Sequence, residues 1–301
     1  MQGINPISIY KAISYFKKKR FDIIHTHSPR SDLLAYLSNL FLKNKGKRIV
    51  TIHGKYGTYL QGNFLIDFLR KIFIKQQSKI WEKASKVIVI SESIRDWLEK
   101  LNSSIKPTVI PYGVEIQEVS QKNQLENPTL GYLGKLNKNK GIEDLIDVYT
   151  KFQEKENSSN FELTLLIGGT GSENYIKSLK NKIKDNNVKF LGYVEDRYSF
   201  FESIEIFVFP SYSEGLGLVL LEAMAHGVIC ITRDVTPMNS IVDNEENGFL
   251  FDDNKELLEK IEMVLKLNST EKNKLVQSAI KKIEKSYSIM QMYLSTEKAY
   301  N

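Results

Sequence analysis

Residues 207–231 read FVFPSYSEGLGLVLLEAMAHGVICI. The apolar run FVFP has the length and composition of a buried strand. Ser211, Tyr212, Ser213, Glu214 and Gly215 follow as a turn. Residues 216–225 read as a buried helix, Gly227 stops it, and VICI reads as the next strand. A strand, loop, helix and strand in this order aim a helix N-terminus out of the carboxyl edge of a parallel sheet, where α/β proteins bind ligands.

Two carboxylates stand in this unit, Glu214 in the loop and Glu222 inside the helix. Glu214 has an ordinary reading, because the positive end of a helix dipole favours an acid by about 0.3–1 kcal/mol. Glu222 is harder to explain. Its neighbours LVLL and AMA offer it no partner, and burying an unpaired carboxylate is costly. It therefore pairs with a distant side chain or reaches a polar ligand. Two acceptors beside a helix N-terminus suit a ligand with many hydroxyls and an anionic group, such as a sugar nucleotide.

The pattern SYSEGLGLVLLEAMAHG resembles the E-x7-E signature of the family 4 retaining glycosyltransferases, which have the GT-B fold. The resemblance implies that Glu214 contacts hydroxyls of the donor sugar and that Glu222 contacts the ribose of the nucleotide. The backbone amides of Gly215, Leu216 and Gly217 would face the sugar and diphosphate. The donor would be a nucleotide diphosphate sugar, UDP- or GDP-linked, with no metal or other cofactor.

Composition bounds the rest. The chain has 301 residues, 42% hydrophobic and 26% charged, as in a soluble globular protein of one large or two ordinary domains. Cys230 is the single cysteine, so an intramolecular disulfide is excluded. No run of apolar residues is long enough for a transmembrane helix. The basic cluster KKKR at 17–20 follows apolar residues instead of preceding them, unlike a signal peptide. These features suit a cytoplasmic protein, with attachment to the inner membrane face as an extension. The net charge of +6 is unevenly spread: 20 Lys+Arg against 9 Asp+Glu through Glu118, and 22 against 27 thereafter. The basic front half is either a solvated lysine-rich surface or the side facing nucleic acid, an anionic membrane or an anionic acceptor. Nucleic acid is not the expected partner.

Strands alternate with helices along the whole chain, which implies parallel sheets with covered faces. In the front half, FDIIHTH, RIVTIH, KVIVI and PTVI read as four strands, preceded by a helix at 6–20 and separated by helices at 32–42, 64–84 and 92–101. Residues 116–128 are polar, lack periodicity and read as a linker between a domain at 1–115 and one at 129–286. The second domain repeats the alternation, with strands at 129–134, 162–167, 188–191, 207–210 and 228–231 and a last short one at GFLF. Residues 287–301 would form a final helix, which the family carries back to the N-terminal domain.

Further candidate sites follow from this order. Gly134 to Gly141 reads GKLNKNKG and joins a strand to a helix, so Lys135 and Lys140 are either solvated loop cations or anion ligands at a helix N-terminus. The stretch resembles the family's diphosphate-neutralising G-R-L-x3-K-G motif, with Lys135 in place of the usual arginine. Gly169-Thr170-Gly171 resembles the family's G-x-G turn, and FLGYVED matches its base-reading loop, which would give Tyr193 and Val194 to the nucleobase. His25 and His27 share one face of a strand, and with His53 they are the chain's weak candidates for a metal. His25 alternatively reads as a core histidine. HTHSP resembles the family segment whose last histidine lies by the acceptor and transferred sugar, which assigns that role to His27. SESIRDWL likewise makes Arg95 an acceptor-side candidate. Residues 63–86, NFLIDFLRKIFIKQQSKIWEKASK, read as a core helix or as an interfacial helix on anionic lipid.

Three departures stand out. Tyr112 occupies a position where the family has Asn. RDVTPMNSIV replaces a Gly-Gly turn and a Glu. The resemblance also begins midway through the N-terminal domain, lacking its first strand and Gly-rich loop. The expected fold is α/β of the GT-B type, two Rossmann-like domains with a truncated first one. The expected function is retaining transfer of a hexose to a glycan or lipid-linked acceptor in cell-surface polysaccharide or lipopolysaccharide synthesis. The alternative is a non-catalytic nucleotide-sugar-binding remnant, or half of a split enzyme completed by a second chain.

Overall fold

A computed structural model of the protein describes residues 6–19, 21–42, 46–56, 64–116, 127–156, 162–183 and 186–301. Most of the linker expected at 116–128 lies outside the described residues. The chain forms two compact units. Unit 1 is Met1–Pro111 with Met292–Asn301, and unit 2 is Tyr112–Gln291.

Unit 1 runs α1 (Pro6–Lys18), β1 (Ile23–Thr26), α2 (Pro29–Leu40), β2 (Lys47–Ile52), α3 (Phe64–Glu82), β3 (Lys86–Val89), α4 (Glu92–Leu101) and β4 (Thr108–Val109). Its sheet is parallel, in the order β1-β2-β3-β4, the pairing that helix crossovers impose on successive strands. The apolar runs bury Ile49, Ile88 and Ile110 against Ile23 and against Met292, Ala299 and Tyr300 of the last helix. Local chemistry sets the helix starts. Ser28 caps α2 in a reciprocal box with Ser31, with Pro29 in the first turn, and Ser91 accepts from the Ile94 amide at α4. The end of α3 is anchored by polar bonds. The buried Trp81 indole donates to Asp32 Oδ2 at 2.7 Å, and Gln77 donates to the Pro29 carbonyl at 3.2 Å.

Unit 2 runs β5 (Thr129–Leu133), a 3-10 turn (Lys138–Lys140), α5 (Ile142–Glu156), β6 (Thr164–Gly168), α6 (Glu173–Lys182), β7 (Val188–Gly192) and α7 (Arg197–Glu202). It continues with β8 (Ile206–Phe209), α8 (Leu218–Ala225), β9 (Ile229–Arg233), α9 (Met238–Ile241), β10 (Phe249–Phe251), α10 (Asn254–Lys266) and α11 (Ser269–Ser286). The last helix, α12 (Ile289–Tyr300), carries the chain back into unit 1. The parallel sheet has the order β10-β9-β8-β5-β6-β7. The chain moves from β5 outward through β6 and β7, then returns to β8 on the other side, so the order reverses between β5 and β8. Every residue of β5, β8 and β9 is buried. That explains why these strands read as continuous apolar runs, as strands covered on both faces do.

In the opening stretch the strands fall at Ile206–Phe209 and Ile229–Arg233, within two residues of their sequence reading, and the helix start also moves. The helix expected from residue 216 begins at Leu218. Gly217 has φ 87°, a left-handed conformation that an L side chain resists, so the chain cannot enter the helix before it.

Candidate functional site

The reversal between β5 and β8 puts two loops side by side at the carboxyl ends of these strands, the place where open α/β sheets bind ligands. One loop, residues 134–141, follows β5. The other, residues 210–217, follows β8. Pairing between the loops is extensive. The Tyr212 amide donates to the Asn139 carbonyl at 3.0 Å. Lys140 Nζ meets Glu214 Oε1 at 2.5 Å, with both side chains mostly buried. The sequence-derived candidates Lys140 and Glu214 thus form one ion pair. Lys135 is exposed on the same loop, and its carbonyl accepts from the Tyr132 hydroxyl at 3.1 Å. Burial and the nearby Glu214 carboxylate push the Tyr132 phenol far up, so it stays a donor.

Glu222 lies in the second turn of α8 and is half-buried. Its distant partner is Arg197, the first residue of α7. One guanidinium nitrogen contacts both carboxylate oxygens at 2.7 Å. Both acids therefore carry a cation, and Glu222 still exposes about a fifth of its side chain.

The turn after β6 abuts the same edge. Gly169 has φ 134°, and a Cβ there would lie 1.7 Å from the Gly134 carbonyl oxygen, so only glycine lets the two loops approach. Leu136 and Gly171 form an isolated bridge that continues this contact. Tyr193 and Val194 follow β7. Tyr193 is 77% exposed, whereas Val194 packs towards Gly168. Lys135, Lys140, Gly134, Gly169, Gly171, Tyr193, Val194, Glu214, Gly215, Leu216, Gly217 and Glu222 thus all belong to unit 2, in the loops after β5 to β8 and in α8.

One further group fixes these loops, and it centres on Arg233 at the end of β9. Arg233 is 7% exposed. It donates to Asp144 Oδ2 at 2.6 Å, to the Pro210 carbonyl at 3.2 Å and to the Asp252 carbonyl at 2.8 Å. Its guanidinium also lies over the Tyr212 ring at 4.1 Å. The Tyr212 hydroxyl donates to the same Asp144 oxygen at 2.5 Å, and that bond raises the phenol's pKa. Arg233 therefore ties the start of α5 to the loop that bears Glu214. Local pattern points to neither Arg197 nor Arg233. A census does: they are the only arginines after Arg95, so they are the forked cations available to the carboxylates of this half.

The other candidates lie in unit 1. His25 is half-buried and tied by hydrogen bonds of 2.7 Å with the Tyr300 hydroxyl and 2.7 Å with the Thr51 hydroxyl. Burial, followed by repulsion from His27 and His53, pushes its pKa down to about 4. His27 directly follows β1, is exposed, and shares a 3.1 Å hydrogen bond with His53. Among the described residues no group of three or more His, Cys, Asp or Glu is arranged to hold a metal ion. Arg95 on α4 is ion-paired with Glu92 at 2.5 Å and with Asp96 at 3.6 Å.

Two parallel α/β sheets, the second with a charged loop cluster at its switch point, define a protein of the GT-B type. Comparison with known proteins gives the family. The model of the glycosyl transferases group 1 matches residues 114–282, and that of Glycosyltransferase Family 4 matches residues 2–118. The chain belongs to the glycosyl transferases group 1 family. The capsular polysaccharide biosynthesis glycosyltransferase CapM of Staphylococcus aureus is 29% identical, over 98% of this chain and 80% of CapM. The O-antigen biosynthesis glycosyltransferase WclY of Escherichia coli is 28% identical, over 75% of this chain and 64% of WclY. Among solved structures, Anabaena Alr3699/HepE in complex with UDP and glucose matches with a TM-score of 0.80 at 17% identity. That match covers 99% of this chain and 83% of HepE, and at this identity it speaks to the fold alone.

Proposed function

We propose that the chain transfers a hexose from a UDP- or GDP-linked sugar to a hydroxyl of a glycan or lipid-linked acceptor, with retention of configuration, in the assembly of a surface polysaccharide. The observation that carries this reading is the pair of acids spaced E-x7-E at the switch point, each held by its own cation. The names of CapM and WclY support the polysaccharide context, and the UDP and glucose bound to HepE support the donor class.

In this scheme unit 2 holds the donor. Glu222 takes the ribose hydroxyls and Glu214 takes hydroxyls of the sugar. The amides of Gly215, Leu216 and Gly217, Lys135 and Lys140 receive the diphosphate, at the helix N-terminus that Gly217 opens. Tyr193 and Val194 border the base. His27, with Arg95 as a second candidate, serves the acceptor. The bond from the anomeric carbon to the diphosphate oxygen breaks while the acceptor oxygen bonds that carbon on the same face. The acceptor's proton passes to the leaving diphosphate. Catalysis is then charge stabilisation and positioning, with no protein nucleophile and no metal in the scheme.

The test incubates the purified chain with UDP- and GDP-hexoses and a lipid-linked acceptor, and reads the anomeric configuration of the product by NMR. A retained linkage from one nucleotide class is expected. An inverted product would overturn the retaining mechanism. Donor binding by the folded chain without transfer would overturn the transfer reading for this chain.

A further inference from the structure

The helix α3 has two halves of different character. In its second half Ile74, Gln77, Ser78 and Trp81 are buried at three- and four-residue spacing, which sets the face turned to the core. In its first half Leu65, Phe68, Leu69, Ile72 and Phe73 recur at the same spacing and are 63%, 51%, 55%, 44% and 47% exposed. At 3.6 residues per turn these five project opposite to the buried face. Lys71, Lys75 and Lys79, all exposed and four residues apart, run as a stripe along the flank of that apolar strip. Asp67 is the only acid between residues 64 and 81, and it lies 3.9 Å from Arg70.

We propose that this half of α3 beds on an anionic membrane surface. The strip is too large and too contiguous to be an ordinary scatter of surface apolar residues. Among the described residues no helix is long and apolar enough to cross a membrane, so the helix lies in the interface plane. Its aromatic and leucine side chains enter the acyl boundary, and the lysine stems reach up to lipid phosphates. Charge complementarity selects the occupant: lysines line the strip, and the front of the chain carries 20 basic residues against 9 acidic ones. The polar bonds of Trp81 and Gln77 hold the far half of the helix to α2. Docking of this kind is independent of the transfer chemistry proposed above.

Flotation of the full chain with vesicles of phosphatidylcholine, alone or mixed with phosphatidylglycerol, tests the proposal. Binding at least about tenfold stronger to the mixed vesicles is expected. A triple variant Lys71→Gln, Lys75→Gln, Lys79→Gln should lose about tenfold or more of that binding with an unchanged melting temperature. A triple variant Phe68→Ser, Leu69→Ser, Ile72→Ser should lose binding to both vesicle types. Equal or absent binding of the folded chain to the two vesicle types would overturn the proposal. So would a dimer, seen by sedimentation, that the serine variant dissolves, because the strip would then pair two copies of the chain. An unchanged nucleotide affinity in both variants would separate loss of docking from loss of the donor site.

Discussion

The carboxyl ends of the two sheets carry different chemistry. In unit 2 the rim is charged, and its acids are paired to cations 74 and 25 residues away in sequence, Lys140 with Glu214 and Arg197 with Glu222. Arg233 and Asp144, 89 residues apart, bolt the loops beneath them. In unit 1 the corresponding polar groups are three imidazoles in contact, and His25 is held uncharged at neutral pH. Under the proposed function the difference is a division of labour between donor and acceptor. A rim of balanced charges, fixed before a ligand arrives, suits an anionic diphosphate and its sugar. A rim of imidazoles suits a neutral hydroxyl.

The largest expected effect breaks the charged rim. Glu214→Gln or Lys140→Ala should lower the rate of sugar transfer by about 10²–10³-fold, the scale for losing a group aimed at developing charge. Initial rates at saturating donor would check it. His27→Gln in the imidazole rim should cost less and act on the acceptor's KM.

Next in size is the bolt. Arg233→Ala removes one partner of a buried pair and should destabilise unit 2 by about 3–5 kcal/mol, read by denaturant titration. Arg233→Lys should recover only part of this, because lysine lacks the planar fork that reaches Asp144 and two carbonyls together.

A third prediction concerns unit 1. Its folded state keeps His25 neutral, so the unfolded chain takes up that proton first as the pH falls. The contribution to stability is full above the ordinary histidine value of 6.5 and is lost as pH drops towards about 4. Melting temperatures across this window should show the fall, and His25→Gln should flatten it. The smallest effect is expected at Arg95. Its pairs with Glu92 and Asp96 are exposed, so Arg95→Ala should change stability by less than about 1 kcal/mol in a thermal melt.

Much of this architecture is legible in the amino-acid sequence, for a physical reason. Strands such as KVIVI and FVFP are buried on both faces, so they are continuous apolar runs, and Gly and Pro punctuate them. Boundaries set by one backbone torsion are less legible: Gly217 delays α8 by two residues, and the 3-10 turn at Lys138–Lys140 leaves no periodic trace. The acids of the site are visible because Glu222 interrupts an apolar helix. Lys140 is visible in GKLNKNKG, but its pairing with Glu214 is not, and Arg197 and Arg233 are marked by no local motif, because pairing across 25 to 89 residues depends on strand order. The stretch that became α3 mixes apolar and basic residues throughout. Composition alone could not separate its buried half from its exposed half; the fold does so through Trp81 and Gln77.

The central claim, that the rim of unit 2 is a nucleotide-sugar site, is tested most directly by calorimetric titration of the chain with UDP and GDP beside Glu222→Gln. Saturable binding of one nucleotide, weakened at least about tenfold in a variant that keeps the native melting temperature, is the predicted result. A folded chain that binds neither nucleotide, or binds equally well without the Glu222 carboxylate, would contradict it.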